Sequence, residues 1–211
     1  MKEISEIKKA MPVNQVIYKA DLQRVGSLID ESILTLSEYT KSKNWQRTKE
    51  LIISKNLLNK KSSKTLQGIL VAIRKRFLSN HALLPNSNLL AKAISANDAS
   101  KVVKAQLLYP YICESDSLIK ALVLNLVAKK MDSHSSILTK ADVFNFIERE
   151  SEKHPELKNW SPYLKERWIN GFLAFLRDFG IMEKAPGTKL LKPFIRVEVF
   201  AFLCFAYCKK G

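Results

Sequence analysis

SKNLLNKKSSKTLQGILVAIRKRF, Ser54 to Phe77, decides the fold. Leu66, Ile69, Leu70, Ile73 and Phe77 recur at the helical period and share one face. Ser62 or Ser63 supplies an N-cap, so the spacing predicts a helix from there to about Ser79. The same stretch holds Lys55, Lys60, Lys61, Lys64, Arg74, Lys75 and Arg76 and no acid. Lys64 and Lys75 fall opposite the apolar face, and Arg74 and Arg76 flank it. Gly68 also falls on the outer side, where a helix favours Ala; a missing side chain there lets a phosphate backbone come close. Lys60, Lys61 and Lys64 surround the helix start, whose free N–H groups attract anions. One side suits a protein core and the other suits a polyanion.

The basic run begins earlier. Lys41, Lys43, Arg47 and Lys49 precede it, and between Lys41 and Phe77 only Glu50 opposes eleven bases. A solvated helix face is the ordinary reading of any single lysine, but solvated faces usually mix signs. The whole chain of 211 residues has a formal net charge of +15. Residues 1–80 carry 16 Lys/Arg against 7 Asp/Glu, residues 81–160 carry 10 against 9, and residues 161–211 carry 9 against 4. The middle is balanced and both ends are basic, the footprint of a partner such as nucleic acid, an anionic membrane surface or an acidic protein.

Apolar residues make up 46%, too many for a disordered tail, and 6 Gly with 7 Pro favour helices over a turn-rich sandwich. The opening MKEISEIKKAMPVNQ has no apolar h-region, and no run of about 18 apolar residues offers a membrane span. Cys113, Cys204 and Cys208 have no framework spacing and read as free thiols. The expectation is a cytoplasmic protein.

The first dozen residues read as a loose lead-in. Helices then follow over Leu22 to Thr40, Trp45 to about Lys55 with Asn44 as cap, Leu89 to Ala96, and Asp98 to Tyr109 ended by Pro110. Glu114 to Met131 is strongly apolar. Thr139 to about Ser151 opens close to a capping box with Asp142, and Ser161-Pro162 starts a long helix ending at Gly180. Two extended arms around Ala185-Pro186-Gly187 read as a small β-hairpin, and an apolar helix of about Arg196 to Cys208 closes the chain. The fold class is all-α in two lobes: a basic lobe of residues 1–84, and residues 85–211 with a winged helix-turn-helix-like unit over residues 114–194.

In that unit the helix after Ser161 clusters Tyr163, Arg167, Asn170, Ala174 and Arg177 on its polar side. Arg and Asn hydrogen-bond guanine and adenine edges, and Tyr contacts phosphate. The wing would add Lys184, Lys189 and Lys192. Glu166 and Asp178 share or border that face and weaken the signal.

No catalytic constellation emerges. His81, His134 and His154 have no metal-ligand spacing to Cys or acids, Cys204 and Cys208 have no second ligand pair, and the glycines form no phosphate-cradling loop. Neither an enzyme, a metal, a cofactor nor a small-molecule substrate is expected.

The stretch resembles a known family. Gly26, Leu28, Glu31, Trp45, Asn56, Leu57, Leu58, Ser63, Thr65, Arg74 and Arg76 fill places similar to those of BrxA, a small protein of BREX phage-defence systems, and WINGFLAFLRDFGIME is similar to that family's Leu-rich helix and turn. The likeness runs from about Tyr18 to Phe205. It implies an all-helical, non-enzymatic BREX component that binds double-stranded DNA, with relatives likened in fold to the antitermination factor NusB.

The reading is therefore a duplex-DNA binder that works mainly through phosphates. Its contacts are Lys41, Lys43, Arg47, Lys60, Lys61, Lys64, Arg74, Lys75 and Arg76, with Tyr163, Arg167, Asn170, Arg177, Lys184 and Lys189 as a second surface. The alternatives are a NusB-like RNA-binding module, an adaptor docking on other BREX proteins, and attachment to anionic lipid.

Overall fold

The computed structural model describes residues 17–22, 26–133 and 136–208. The loose lead-in expected over the first dozen residues, and His134, lie outside them. Eleven α-helices run along the described chain. They are α1 (Ile29–Ser42), α2 (Trp45–Ser54), α3 (Ser63–Phe77), α4 (Ser87–Ser95) and α5 (Lys101–Ser115). Then α6 (Ser117–Leu122) passes through a π-helical turn (Val123–Val127) into α7 (Ala128–Asp132). Next come α8 (Lys140–Glu150), the short α9 (Pro155–Lys158), α10 (Pro162–Asp178) and α11 (Val197–Cys208). No helix of the described residues is long and apolar enough to cross a membrane.

The starts are set by local chemistry. Asn44 Oδ1 accepts from the Arg47 N–H (3.1 Å), Ser62 Oγ from Thr65 (3.4 Å) and Ser161 Oγ from Leu164 (3.2 Å). At α8 the Asp142 carboxylate accepts from the Thr139 N–H (2.7 Å) while Thr139 Oγ1 accepts from the Asp142 N–H (3.2 Å), closing the capping box.

Three helices differ most from expectation. The one expected over Glu114 to Met131 begins only at Ser117, because Asp116 ends α5 and caps α6. The helix expected over Leu22 to Thr40 is interrupted: Gly26 has φ 61° and Leu28 φ 53°, and α1 begins only at Ile29. Pro110 does not end a helix; α5 runs through it to Ser115. A proline inside a helix costs about 3 kcal/mol or more. Burial of Leu107, Leu108, Tyr111 and Ile112 outweighs that, at about 1.5–3 kcal/mol for each large apolar side chain.

The hairpin is also corrected. No strand forms among the described residues. Met182 and Leu190, and Ile137 and Lys189, make only isolated antiparallel bridges. The Glu183 N–H donates to the Lys189 carbonyl (3.0 Å) and the Leu191 N–H to that of Ile181 (2.8 Å). Pro186 and Pro193 cannot donate, so the arms are too interrupted for a ladder. The β-wing expected after α10 is therefore a turn.

The core is one buried cluster. It takes Leu36, Ile52, Leu70, Ile73 and Phe77 from the first helices and Leu108, Tyr111, Leu122, Val143, Trp168, Phe172 and Leu176 from the later ones. α1 packs mainly on α4, α3 on α5, α8 on α10 and α11 on α5. The polar side of α3 is left outward.

Candidate nucleic-acid interface

The candidate surface is built around the connection between α2 and α3. Asn56 (φ 42°) and Asn59 (φ 49°) take the left-handed conformation that Asn tolerates. The Asn56 side chain accepts from the Lys60 N–H (3.0 Å) and donates to the Lys60 carbonyl (3.2 Å). This clamp presents Lys60 and Lys61 beside the start of α3.

Lys43, Arg47, Lys61, Lys64 and Arg74 are exposed, and no described carboxylate pairs with any of them. Three further predicted contacts are held in ion pairs: Lys41 with Glu38 (2.6 Å), Lys60 with Glu31 (2.8 Å) and Lys75 with Asp21 (2.5 Å). Partly exposed pairs of this kind contribute about 0–1 kcal/mol, so a phosphate competes with the carboxylate at little cost.

Arg76 belongs elsewhere. It is buried at 5% exposure, and its Nη1 donates to the carbonyls of Gly26 (2.9 Å) and Ser27 (3.3 Å). Burial pushes its guanidinium down to about 10, with Asp116 and Asp21 acting in the other direction, so it stays charged at neutral pH. The expected ninth phosphate contact is an internal brace for the turn into α1.

Beside α3 lies a cleft of about 630 Å³. Thr65, Gly68 and Ala72 form its α3 side, and Leu28 and Glu31 face them. The Lys60–Glu31 and Lys75–Asp21 pairs link the two walls. Asp116 lines it as well. Burial raises that carboxyl's pKa even though it caps α6 by accepting from Leu118 (3.1 Å) and Ile119 (3.2 Å).

The second predicted surface is less uniform. Tyr163, Asn170, Lys184 and Lys189 are exposed, and the Arg167 guanidinium lies 5.7 Å from the centre of the Tyr163 ring. Arg177 faces the turn. Its Nε donates to the Glu183 carbonyl (3.2 Å) and its Nη2 to that of Gly187 (3.2 Å). Glu166 is exposed on α10, and Asp178 accepts from Ser27 Oγ (2.5 Å). Lys192 stands 4.0 Å from Asp132.

Among the described residues no group of three His, Cys, Asp or Glu side chains is placed to hold a metal ion. Burial pushes the Cys113 thiol up to about 12, away from the thiolate a nucleophile needs.

Sequence reading missed the outer face of α11. Val199 is buried and Phe202 and Leu203 are half-buried, but Val197, Phe200 and Phe205 are exposed, as are the preceding Phe194 and Ile195. Apart from Glu198 the helix is apolar, so its composition alone does not say which side is covered.

These features define a helical protein with a strongly cationic helix pair and no recognisable catalytic centre among the described residues. Residues 16–206 match the BrxA family, and the chain belongs to that family. The crystal structure of an uncharacterized protein from Magnetospirillum magneticum is similar in fold, with a TM-score of 0.76 and 15% identity over 92% of this chain and 95% of that one. No curated protein matches the sequence.

Proposed function

We propose that the chain is a non-enzymatic double-stranded DNA-binding component of a BREX phage-defence system, gripping duplex mainly through phosphates. Family membership supports the BREX role. The observation that carries the DNA reading is the set of five exposed cations without a described carboxylate partner, Lys43, Arg47, Lys61, Lys64 and Arg74, on α2 and α3 and the loops that lead into them. Lys41, Lys60 and Lys75 join them by exchanging a carboxylate for a phosphate. Tyr163, Arg167, Asn170, Lys184 and Lys189 form a second contact surface, with Arg177 positioning the turn. Residues 1–84 carry the leading contacts and residues 85–211 the second surface. The protein works in the cytoplasm, where duplex DNA is available.

Competition tests the nucleic-acid class. Unlabelled duplex DNA should displace a labelled duplex far better than single strands or duplex RNA. Preference for RNA would move the reading to an antitermination-like RNA module. A second reading, docking on other BREX proteins, is favoured by the exposed Phe194, Ile195, Val197, Phe200 and Phe205. Co-purification that survives nuclease treatment would support it.

A further inference from the structure

We propose that α3 itself enters the major groove of duplex DNA, with Gln67 and Val71 against base edges and the cations at its two ends on the flanking phosphates. This rests on the duplex reading above and adds the groove and the residues that meet bases.

The outward stripe of α3 is Lys64, Gln67, Gly68, Val71, Arg74 and Lys75, all exposed. Its charges sit only at the ends; the centre is small and uncharged. Lys64 and Arg74 are ten residues apart, about 15 Å along the axis. That reaches across a major groove about 12 Å wide.

Within the protein the centre is held only loosely: Gln67 Nε2 donates a long bond to Ser63 Oγ (3.5 Å), and Gly68 and Val71 border the open cleft. A Cβ on Gly68 would meet no heavy atom within 4 Å, so nothing inside the protein requires a glycine there. In mid-helix it costs stability relative to alanine. It does keep the helix surface low where base edges would approach. Val71 is 68% exposed, while Leu66, Ile69, Leu70, Ile73 and Phe77 of the same helix are buried. A valine methyl suits the thymine C5-methyl group, and a glutamine amide suits N6 and N7 of adenine. Close approach of a phosphate backbone would account for Gly68 alone; an exposed Val71 and Gln67 beside it suit base edges.

The acids fix the direction of approach. None lies on α3, but Gly68 and Val71 border the cleft that Asp21, Glu31 and Asp116 line; Lys75 and Lys60 neutralise the first two, so the duplex approaches from the Gln67 and Arg74 side of the helix, away from the cleft. α10 is the poorer groove element, because Glu166 and Asp178 stand exposed on it and Arg177 is bound to the turn.

The test compares two duplexes of one sequence. One is unmodified. In the other every cytosine carries a 5-glucosyloxymethyl group, which fills the major groove and leaves the phosphates unchanged. The expected result is binding to the unmodified duplex at least about tenfold tighter. Gly68→Ala should keep that ratio. Gly68→Trp should melt no lower than the native protein and bind both duplexes equally and weakly. Should Gly68→Trp fail to fold, the ratio measured on the native protein decides alone. Equal affinity of the native protein for both duplexes overturns groove insertion and leaves the phosphate reading standing. Binding to neither duplex overturns both.

Discussion

Arg74 and Arg76 stand two residues apart and do opposite work. Arg74 is exposed without a described partner; Arg76 braces the carbonyls of Gly26 and Ser27. Leu28, next in the chain, sits at φ 53°, a conformation that costs a leucine about 1–2 kcal/mol and needs support from its surroundings. Arg76→Met keeps the length and removes the donors. It is expected to lower the unfolding free energy in urea by roughly 2–3 kcal/mol, because two inner carbonyls lose their partner. Duplex affinity of the folded fraction should not change. Arg74→Met should leave stability within about 0.5 kcal/mol and reduce the salt slope of binding by about one. The two arginines look alike in sequence. The helical wheel puts Arg76 at the edge of the apolar face, but only the fold brings Gly26, fifty positions away, across that edge.

At the scale of the element, α3 was the most legible helix, because its cap, its apolar face and its cationic ends are all local. Gly68 gives a clean test of its surface. With open space around the site, Gly68→Ala should raise stability by about 0.5–1 kcal/mol in the same urea assay. The start of α8 gives a test by pH. Burial alone would raise the Asp142 carboxyl, but hydrogen bonds from Lys130 and Thr139 outweigh it and hold its pKa below the ordinary value. A depressed carboxylate stabilises the fold above its unfolded pKa, and that contribution disappears as pH falls through the folded value. Asp142→Asn should therefore cost about 1 kcal/mol at pH 7, with the difference from the native protein shrinking below about pH 4. Capping residues were readable because they act within one turn. Pro110 was misread because its local rule is outweighed by burial of Leu107, Leu108, Tyr111 and Ile112, which neighbours distant in sequence supply. The hairpin was misread because turn residues in sequence do not guarantee a ladder; Arg177 and isolated bridges hold the turn instead.

For the whole molecule, charge and core divide the labour. The cationic helix α3 packs its apolar side onto a core shared with the later helices and leaves its outer side bare. Net charge raises the expectation of a polyanion from the composition, but the sorting of nine expected contacts into exposed, paired and buried needs the fold. The apolar face of α11 was invisible for the same reason. The most direct test of the duplex reading is a salt titration of affinity for a labelled random-sequence duplex, with the native protein beside a Lys43→Glu/Arg47→Glu/Lys61→Glu/Lys64→Glu variant. Each neutralised phosphate contributes about −0.9 to the slope of log affinity against log salt. Five to eight contacts predict a native slope of roughly −4 to −7, and the variant should lose most of it while melting like the native protein. A native protein that binds no duplex at low salt, or a folded variant that binds with an unchanged slope, would contradict the account.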